Sequence, residues 1–405
     1  MDRKVIPLPL EENESLKEKV YHMYLNSWEL PPQALAPHSH ERWNPCPNPV
    51  TLDELNLPIL LNYPYTFAEK TDGVRVQLIY CNPNRTIYTG LIDRKGNIYK
   101  LELKGTEAET LQGSDFFVLD GEIVQGFKDN VFYFVMFDCI FANNRCLRYE
   151  KDLFKRLRQG HECLKKLPSI VNGNLHLCSK QIRELEEDLD TGIFSSLPYP
   201  NDGLIFTPKF FEIPVETSQF LLKWKKEEHQ SLDFRLVGHP PVKTRTKWGI
   251  ELKFRFHNEE RNIFQGFWFA GYKLKKVRCI DNAELQSILE SWNASFDPTV
   301  VYPKNHFNCI VEVGIDKLDL EMDQEMILLK VLGIRHDKSS PNSELTIHGT
   351  LKTLLFPLSL PDLTKMIKST LGHKNKILMS KRARLGTGIG MDSKKIIPLP
   401  SEPFS

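Results

Sequence analysis

The chain of 405 residues has no CxxC pair and no paired His/Cys spacing, and its eight cysteines are scattered. That speaks against structural zinc and for a reducing compartment. No apolar run reaches the length of a membrane span, so no membrane partner is expected. The chain also lacks an excess of either charge: its net charge is +1. Global charge therefore gives no hint of nucleic acid, and any such binding must rest on local patches. The opening segment, MDRKVIPLPLEENESLKEKV, is polar and acidic. It has neither the apolar core of a signal peptide nor the acid-poor character of a transit peptide. His38 and His40 in PHSHERW read as incidental histidines of a Pro-rich loop rather than a metal pair. There is no HCxxxxxR phosphatase loop and no glycine-rich methyltransferase signature. What is present is 41% hydrophobic and 26% charged residues, the balance of a soluble globular protein. The length suits two domains plus tails rather than one core.

Residues 11–26 read as an amphipathic helix, followed by a Pro-rich connector to about Val50. From Tyr65 the pattern turns to strands: TFAEK, VRVQLIYC and TIYTGLIDRKGNIYKLEL, the last with a hairpin turn at Lys95–Gly96–Asn97. FFVLDGEIV (116–124) and NVFYFVMFDCI (130–140) are short, β-branched and aromatic, as buried strands are. Helices are expected over 147–160 and 181–190, and strands again at GLIFTP and FLLKWKK. A mixed sheet with helices on its faces fits this order. After Lys226, SLDFRLVG, IELKFRFHN, FQGFWFAGYKL and FNCIVEVGI alternate and predict a second, strand-rich unit that suits a small barrel. TIHGTLKTLLFPLSLPDLTKMIKSTL has helical periodicity broken near Pro357 and Pro361. From Gly372 the chain is a tail with five Lys and two Arg against one Asp and one Glu, expected to be mobile. Its stretch HKNKILMSKRAR reads as a nuclear signal, an RNA contact or a plain solvated tail.

Several clusters carry chemistry. Lys70 ends a strand pattern, with Asp72, Gly73 and Arg75 close behind. A lysine amine can attack an α-phosphate only when neutral, and roughly one free lysine in a thousand is neutral at pH 7. Burial or nearby positive charge must lower that barrier. Lys223 and Lys225 alternate on LLKWKK, so both point to one face. Such a pair grips a phosphate, or else decorates a solvent-facing edge strand. Asp-Gly recurs at 72–73, 120–121 and 202–203, each time bordering a strand. One such pair is an ordinary turn signal, whereas the repetition favours a site where Asp120, Glu122 and Asp202 meet a hard cation or a ribose. Phe137 could lie against a flat base or simply pack in a core. Arg335, Asp337 and Lys338 in GIRHDKSSPN could clamp outer phosphates or form a charged loop.

In this order KTDGVR (70–75), VLDGEIV, FVMFDCI, DGLIFTP, LLKWKK and RHDKSSPN resemble the motif series of the covalent nucleotidyltransferases, the mRNA capping guanylyltransferases and ATP-dependent polynucleotide ligases. NPVTLDEL, LIDRKGNIY, SLDFRL and above all RHDKSSPN resemble the capping branch. The resemblance spans about residues 47–355, and it departs from the family at Lys226, where proline is frequent. It implies an α+β fold. An N-terminal helix and connector (1–44) would precede a nucleotidyltransferase (ATP-grasp-like) domain of mixed and antiparallel sheets over 45–228. An OB-fold β-barrel domain would cover 229–345, C-terminal helices (346–371) would pack back on the first domain, and a basic tail (372–405) would follow. It implies that Lys70 forms a lysyl-GMP intermediate and that Arg75 and Glu122 contact the ribose. Phe137 would stack on guanine, Lys223 and Lys225 hold the α-phosphate, and Asp202 place the metal. Arg335, Asp337 and Lys338 would orient the leaving pyrophosphate, Arg94 contact phosphate and Lys180 read guanine. The implied substrate is GTP with Mg²⁺ or Mn²⁺. The implied acceptor is an RNA 5′-diphosphate end, yielding the GpppN cap. An RNA triphosphatase and a cap methyltransferase are expected on separate chains, with the RNA polymerase II tail as a further partner. The location would be the nucleus, or the cytoplasm for a viral protein. The competing readings are an ATP-dependent RNA or DNA ligase and a non-catalytic RNA-binding relative.

Overall fold

The structure, a computed structural model, describes residues 6–30, 44–81, 87–103, 116–185, 189, 191–226, 229–236, 251–256, 259–264, 276–279, 309–319, 326–335, 342, 350, 353 and 357–370. The basic tail, Asp337 and Lys338 lie outside these residues. The chain divides into two compact units, one of Arg3–Trp224 with Leu358–Ser405 and one of Lys225–Pro357.

Two sheets build the first unit. Strands β1 (Asn48–Thr51), β2 (Tyr65–Thr71), β11 (Arg183–Glu184), β12 (Asn201–Pro208) and β13 (Thr217–Lys225) form a five-stranded sheet in the order β1-β13-β12-β2-β11. The second sheet has β3 (Val74–Cys81), β4 (Tyr88–Asp93), β5 (Ile98–Lys100), β6 (Phe117–Gln125), β7 (Phe132–Ala142), β9 (Ile170–Val171) and β10 (Leu175–Ser179) in the order β5-β4-β3-β6-β7-β10-β9, with β8 (Arg145–Cys146) beside β7. Every residue of β3 is buried, because both faces of this sheet are covered. The period-two alternation of a strand then splits its side chains between two cores. Val76, Leu78 and Tyr80 join Leu153 and Leu157 of helix α2 (Leu153–Lys165) on one side. Ile79 and Cys81 join Tyr24 and Trp28, at the end of helix α1 (Glu14–Asn26), on the other. The N-terminal helix, predicted as a separate lead segment, is thus part of the first unit's core.

The KTDG segment is where the two sheets meet. Only Asp72 and Gly73 separate β2 of one sheet from β3 of the other. A Cβ at Gly73 would come 2.4 Å from the Ile123 carbonyl oxygen and 3.1 Å from Val124 Cβ. Close approach of β6, rather than turn conformation, therefore makes this position glycine. At the β4–β5 hairpin the reason differs: Gly96 has φ +72°, and the Asp93 side chain accepts from the backbone N–H groups of Lys95 and Asn97.

Three helix expectations change. The helix placed at 147–160 spans Leu153–Lys165, because the Asp152 carboxylate accepts from the Phe154 and Lys155 N–H groups and starts it there. The helix expected over 181–190 is not formed where that segment is described. Arg183–Glu184 pair with Phe67 and Thr66 of β2, and Leu185 and Leu189 enter the core around Phe67, so tertiary pairing overrides a helical pattern. Near the C-terminus Pro361 is not a break but lies in the first turn of a helix over 360–370, where its missing N–H leaves no bond unmade. Leu363 and Ile367 of this helix are fully buried with Leu52, Phe206 and Leu222, and the Trp224 indole donates to the Leu358 carbonyl at 2.7 Å.

The second unit is β-rich. Strands β14 (Ser231–Leu236), β15 (Glu251–Phe256), β16 (Glu259–Phe264), β17 (Lys276–Cys279), β18 (Cys309–Asp319) and β19 (Met326–Ile334) run in the order β14-β18-β19-β17-β15-β16. Among the described residues they make one open path.

Gly73→Ala is expected to destabilise the protein by about 1–3 kcal/mol, the usual cost of forcing an extra methyl group into a packed site. Urea unfolding checks this, and a loss below about 0.5 kcal/mol would show that β6 yields freely.

Candidate active site

Lys70 is the penultimate residue of β2, and its ammonium donates to Asp202 Oδ1 at 2.8 Å. The two side chains are 19% and 8% exposed, so the pair is largely withdrawn from water. Asp202 sits on β12, where the pairing with β2 slips between Asn201 and Leu204. That irregularity lies at Asp202–Gly203, beside Lys70. Lys223 lies on β13, the next strand in the sheet after β12. On β13 Leu222 and Trp224 are buried, while Lys223 and Lys225 take the alternate positions and are half-buried. Lys225 falls within the second unit, and its ammonium reaches the His229 carbonyl at 3.4 Å.

The remaining residues come from the eight-stranded sheet. Arg75 and Glu122 are directly opposite each other on β3 and β6. The Arg75 guanidinium is buried and grips both oxygens of Asp120, with Nε to Oδ1 at 3.0 Å and a second bond to Oδ2. It also donates to the Pro47 carbonyl. Burial opposes its charge, but Asp120 more than compensates and holds the guanidinium protonated. Gln77 Nε2 donates to Asp120 Oδ1 at 2.9 Å, and Gln77 Oε1 accepts from Asn44 and, at 3.4 Å, from Tyr24. A buried polar chain thus runs from the N-terminal helix to Arg75.

Phe137, on β7, lies between cations. The Arg75 guanidinium carbon and the Lys180 ammonium are each 5.2 Å from its ring centroid, within cation–π range. The following residue is fixed from the opposite side of the strand. Asp138 accepts two bonds from Arg156 of α2, at 2.8 and 2.9 Å, and Arg156 also donates to the Glu150 and Phe211 carbonyls.

Lys180, just past β10, bridges the two sheets. Its backbone N–H donates to Met136, and its ammonium donates to the Glu69 carbonyl at 3.1 Å. It lies 3.5 Å from Glu122 Oε2 and 3.8 Å from Glu69 Oε1. Glu69 is fully buried next to Lys70, and burial raises its carboxyl above the ordinary value while Lys180 opposes that rise.

Arg94 follows β4 in the hairpin turn, is exposed, and acts electrostatically on Cys46. Arg335 belongs to the second unit. It pairs with Asp233 at 3.0 Å and lies 3.7 Å from Glu312. Asn342 accepts from the Asp233 N–H at 2.7 Å, so both ends of RHDKSSPN are tied to the aspartate of SLDFRL. Asp337 and Lys338 are outside the described residues.

Burial pushes the Cys178 thiol up to about 11 and Cys81 up to about 12, and likewise raises Cys46, Cys139 and Cys146. Among the described residues, no group of three or more His, Cys, Asp or Glu is placed to hold a metal.

A family model, the catalytic domain of the mRNA capping enzyme, matches residues 4–227. The chain belongs to the mRNA capping enzyme family. The mRNA-capping enzyme subunit alpha of Kluyveromyces lactis is 28% identical over 356 residues, covering 76% of this chain and 73% of that protein. The subunit alpha of Saccharomyces cerevisiae is 26% identical over 402 residues, covering 85% and 80%. That of Schizosaccharomyces pombe is 26% identical over 368 residues and covers 84% of each.

In this capping-enzyme domain, sequence reasoning missed the partners of the candidate residues: Glu69 at Lys180, Gln77 at Asp120, Arg156 at Asp138, and Tyr199, whose hydroxyl donates to Glu69 Oε1 at 3.3 Å. Arg156 had no signal, since a helical arginine is ordinarily a surface residue. Glu69 and Gln77 did have one: each is a polar residue inside a strand otherwise read as buried.

Asp120→Ala is expected to cost about 3–5 kcal/mol, because it strands the buried Arg75 charge. Gln77→Leu removes a neutral donor and should cost about 1 kcal/mol. Denaturant unfolding of both variants checks the order. Glu69 also predicts a pH dependence. A carboxyl raised in the fold favours folding while protonated, so its contribution is full below the unfolded value of 4.5 and declines as pH rises through the folded value. The stability of the wild type relative to Glu69→Gln should therefore fall with rising pH over that window, as read from urea midpoints. A difference that grows with pH would contradict the assignment.

Proposed function

We propose that this capping-enzyme family member is the mRNA guanylyltransferase, with Lys70 as the nucleophile. The observation that carries the reading is the Lys70 amine. It is largely buried at the end of a rigid strand and 2.8 Å from Asp202, beside the Glu69–Lys180–Glu122 bridge. In the first step the Lys70 nitrogen attacks the α-phosphorus of GTP. The P–N bond forms, the bond to the β-phosphate oxygen breaks, and pyrophosphate leaves. Lys70 must first give up a proton, and Asp202 Oδ1 is the acceptor already hydrogen-bonded to it. In the second step a terminal oxygen of an RNA 5′-diphosphate attacks the same phosphorus, and Lys70 departs as the amine. The product is the GpppN cap.

Roles for the other residues follow the same reading. Phe137 and Lys180 meet the base. Glu122 and Arg75 meet the ribose side, Arg75 chiefly by ordering Asp120 and the Phe137 ring. Lys223, Lys225 and Arg94 serve the phosphates. A role for Arg335, Asp337 and Lys338 at the departing pyrophosphate rests on the RHDKSSPN motif. Asp202 is a hard oxygen donor, and a magnesium or manganese ion characteristically takes one or two carboxylates and completes its shell with phosphate and water. Such an ion would supply charge neutralisation at the phosphates. We read the second, β-rich unit as the OB domain and assign the protein to the nucleus, or to the cytoplasm for a virus. The triphosphatase and methyltransferase would be on separate chains, with the polymerase tail as a further partner.

The purified chain with Mg²⁺ should form a covalent adduct from α-labelled GTP far more readily than from ATP. Lys70→Ala should form none, and Asp202→Asn should slow adduct formation by about 100-fold or more. Adduct formation from ATP alone would make the protein a ligase-type enzyme. An adduct that persists in Lys70→Ala would move the nucleophile elsewhere.

A further inference from the structure

The seat of Lys180 is more elaborate than a base contact by itself requires. An ammonium has three donors and no acceptor. Around this one stand the Glu69 carbonyl at 3.1 Å, Glu122 Oε2 at 3.5 Å and Glu69 Oε1 at 3.8 Å. The two carboxylates are not equivalent. Glu122 is partly exposed, and in the reading above it turns to the ribose. Glu69 is fully buried, and its Oε1 also accepts from Tyr199 at 3.3 Å and Thr71 at 3.4 Å. Its Oε2 is buried with no donor in reach among the described residues. A buried acceptor without a donor costs stability, so its retention calls for a reason beyond packing.

We infer that Glu69, steadied by Tyr199, is a positioning residue that holds the Lys180 ammonium beside the Phe137 ring and thereby sets selection for 6-oxopurine nucleoside triphosphates. The inference rests on the guanylyltransferase reading and deepens it. A 6-oxopurine presents a carbonyl acceptor to the ammonium, and adenine presents an amino donor at the same place. Donor facing donor leaves both unpaired, and sites of this kind discriminate strongly. When Glu122 engages the sugar, Glu69 remains as the fixed anchor, so Lys180 neither collapses onto the empty ring nor swings into solvent. Glu69 precedes Lys70 on β2, so the strand that aims the nucleophile also fixes the base reader.

The test is adduct formation by the full chain with α-labelled GTP, ITP and ATP. ITP keeps the 6-carbonyl and lacks the 2-amino group. Glu69→Ala should lower the preference for GTP over ATP by about 10-fold, roughly the worth of one hydrogen bond to a charged group. The KM values for GTP and ITP should rise alike, with the maximal rate within about twofold, since Lys70 is untouched. Tyr199→Phe should shift the preference less. Glu69→Gln, which keeps an acceptor and the side-chain shape, should lower it about threefold, and it carries the test if the alanine variant does not fold. Equal losses with GTP and ATP in the Glu69 variants would overturn the inference and leave a structural carboxylate. So would an unchanged preference in Lys180→Ala. If Lys180→Ala loses the preference and the Glu69 variants keep it, only the positioning role falls. A wild-type preference for ATP would instead overturn the guanylyltransferase reading beneath it.

Discussion

One close approach organises this molecule. At Gly73 the backbone lies so near the Ile123 carbonyl that no Cβ fits between them. This contact lets the chain leave one sheet at Thr71 and enter the other at Val74 with only two residues between. Lys70 and Asp202 belong to the first sheet, and Arg75, Glu122 and Phe137 to the second. Their neighbourhood is a consequence of that crossing. Pulling the sheets apart would leave each half of the site intact and the site itself lost.

Charge then fixes what the crossing brings together. Lys180 spans from β2 to β6, so the two sheets share a buried ammonium as well as a backbone contact. Arg75 is held by Asp120, and Asp120 by Gln77, which leads back to Tyr24 of the N-terminal helix. Breaking one partner of such a pair leaves an uncompensated charge, which is far costlier than the pair is stabilising. The arrangement therefore serves to fix geometry more than to add stability. Arg156 does the same for β7, anchoring Asp138 on the side of the strand away from Phe137.

Much of this was legible in the chain. Short β-branched and aromatic runs marked β2, β3, β6, β7, β12 and β13, because a strand covered on both faces, as β3 is, has apolar residues in succession. Of the three Asp-Gly pairs read as strand borders only 72–73 is one: 120–121 lies inside β6, and 202–203 sits at the irregular start of β12. The motif order named the family. The lysine pair of LLKWKK also alternates as read, with Leu222 and Trp224 in the core. The misreadings were local. A helical pattern over 181–190 yielded to strand pairing at the edge of β2, and Pro361 proved to open a helix rather than break one. In both cases a partner distant in sequence, or a cap, settled a segment whose own propensity was ambiguous.

The sequence by itself determined the family and singled out the candidate residues: the lysine of KTDGVR, the carboxylates of LDGE and NDG, the basic pairs. Reactivity resides in residue type, and order along the chain is enough to recognise it. Only the tertiary structure decided what each is tied to. That Glu69 underlies Lys180, that Arg75 is committed to Asp120, and that Asp233 holds both ends of RHDKSSPN could not be read from spacing. These partners are separated by 45 to 132 residues in cases such as Arg75–Asp120 and Lys70–Asp202, and strand pairing alone brings them within hydrogen-bonding distance.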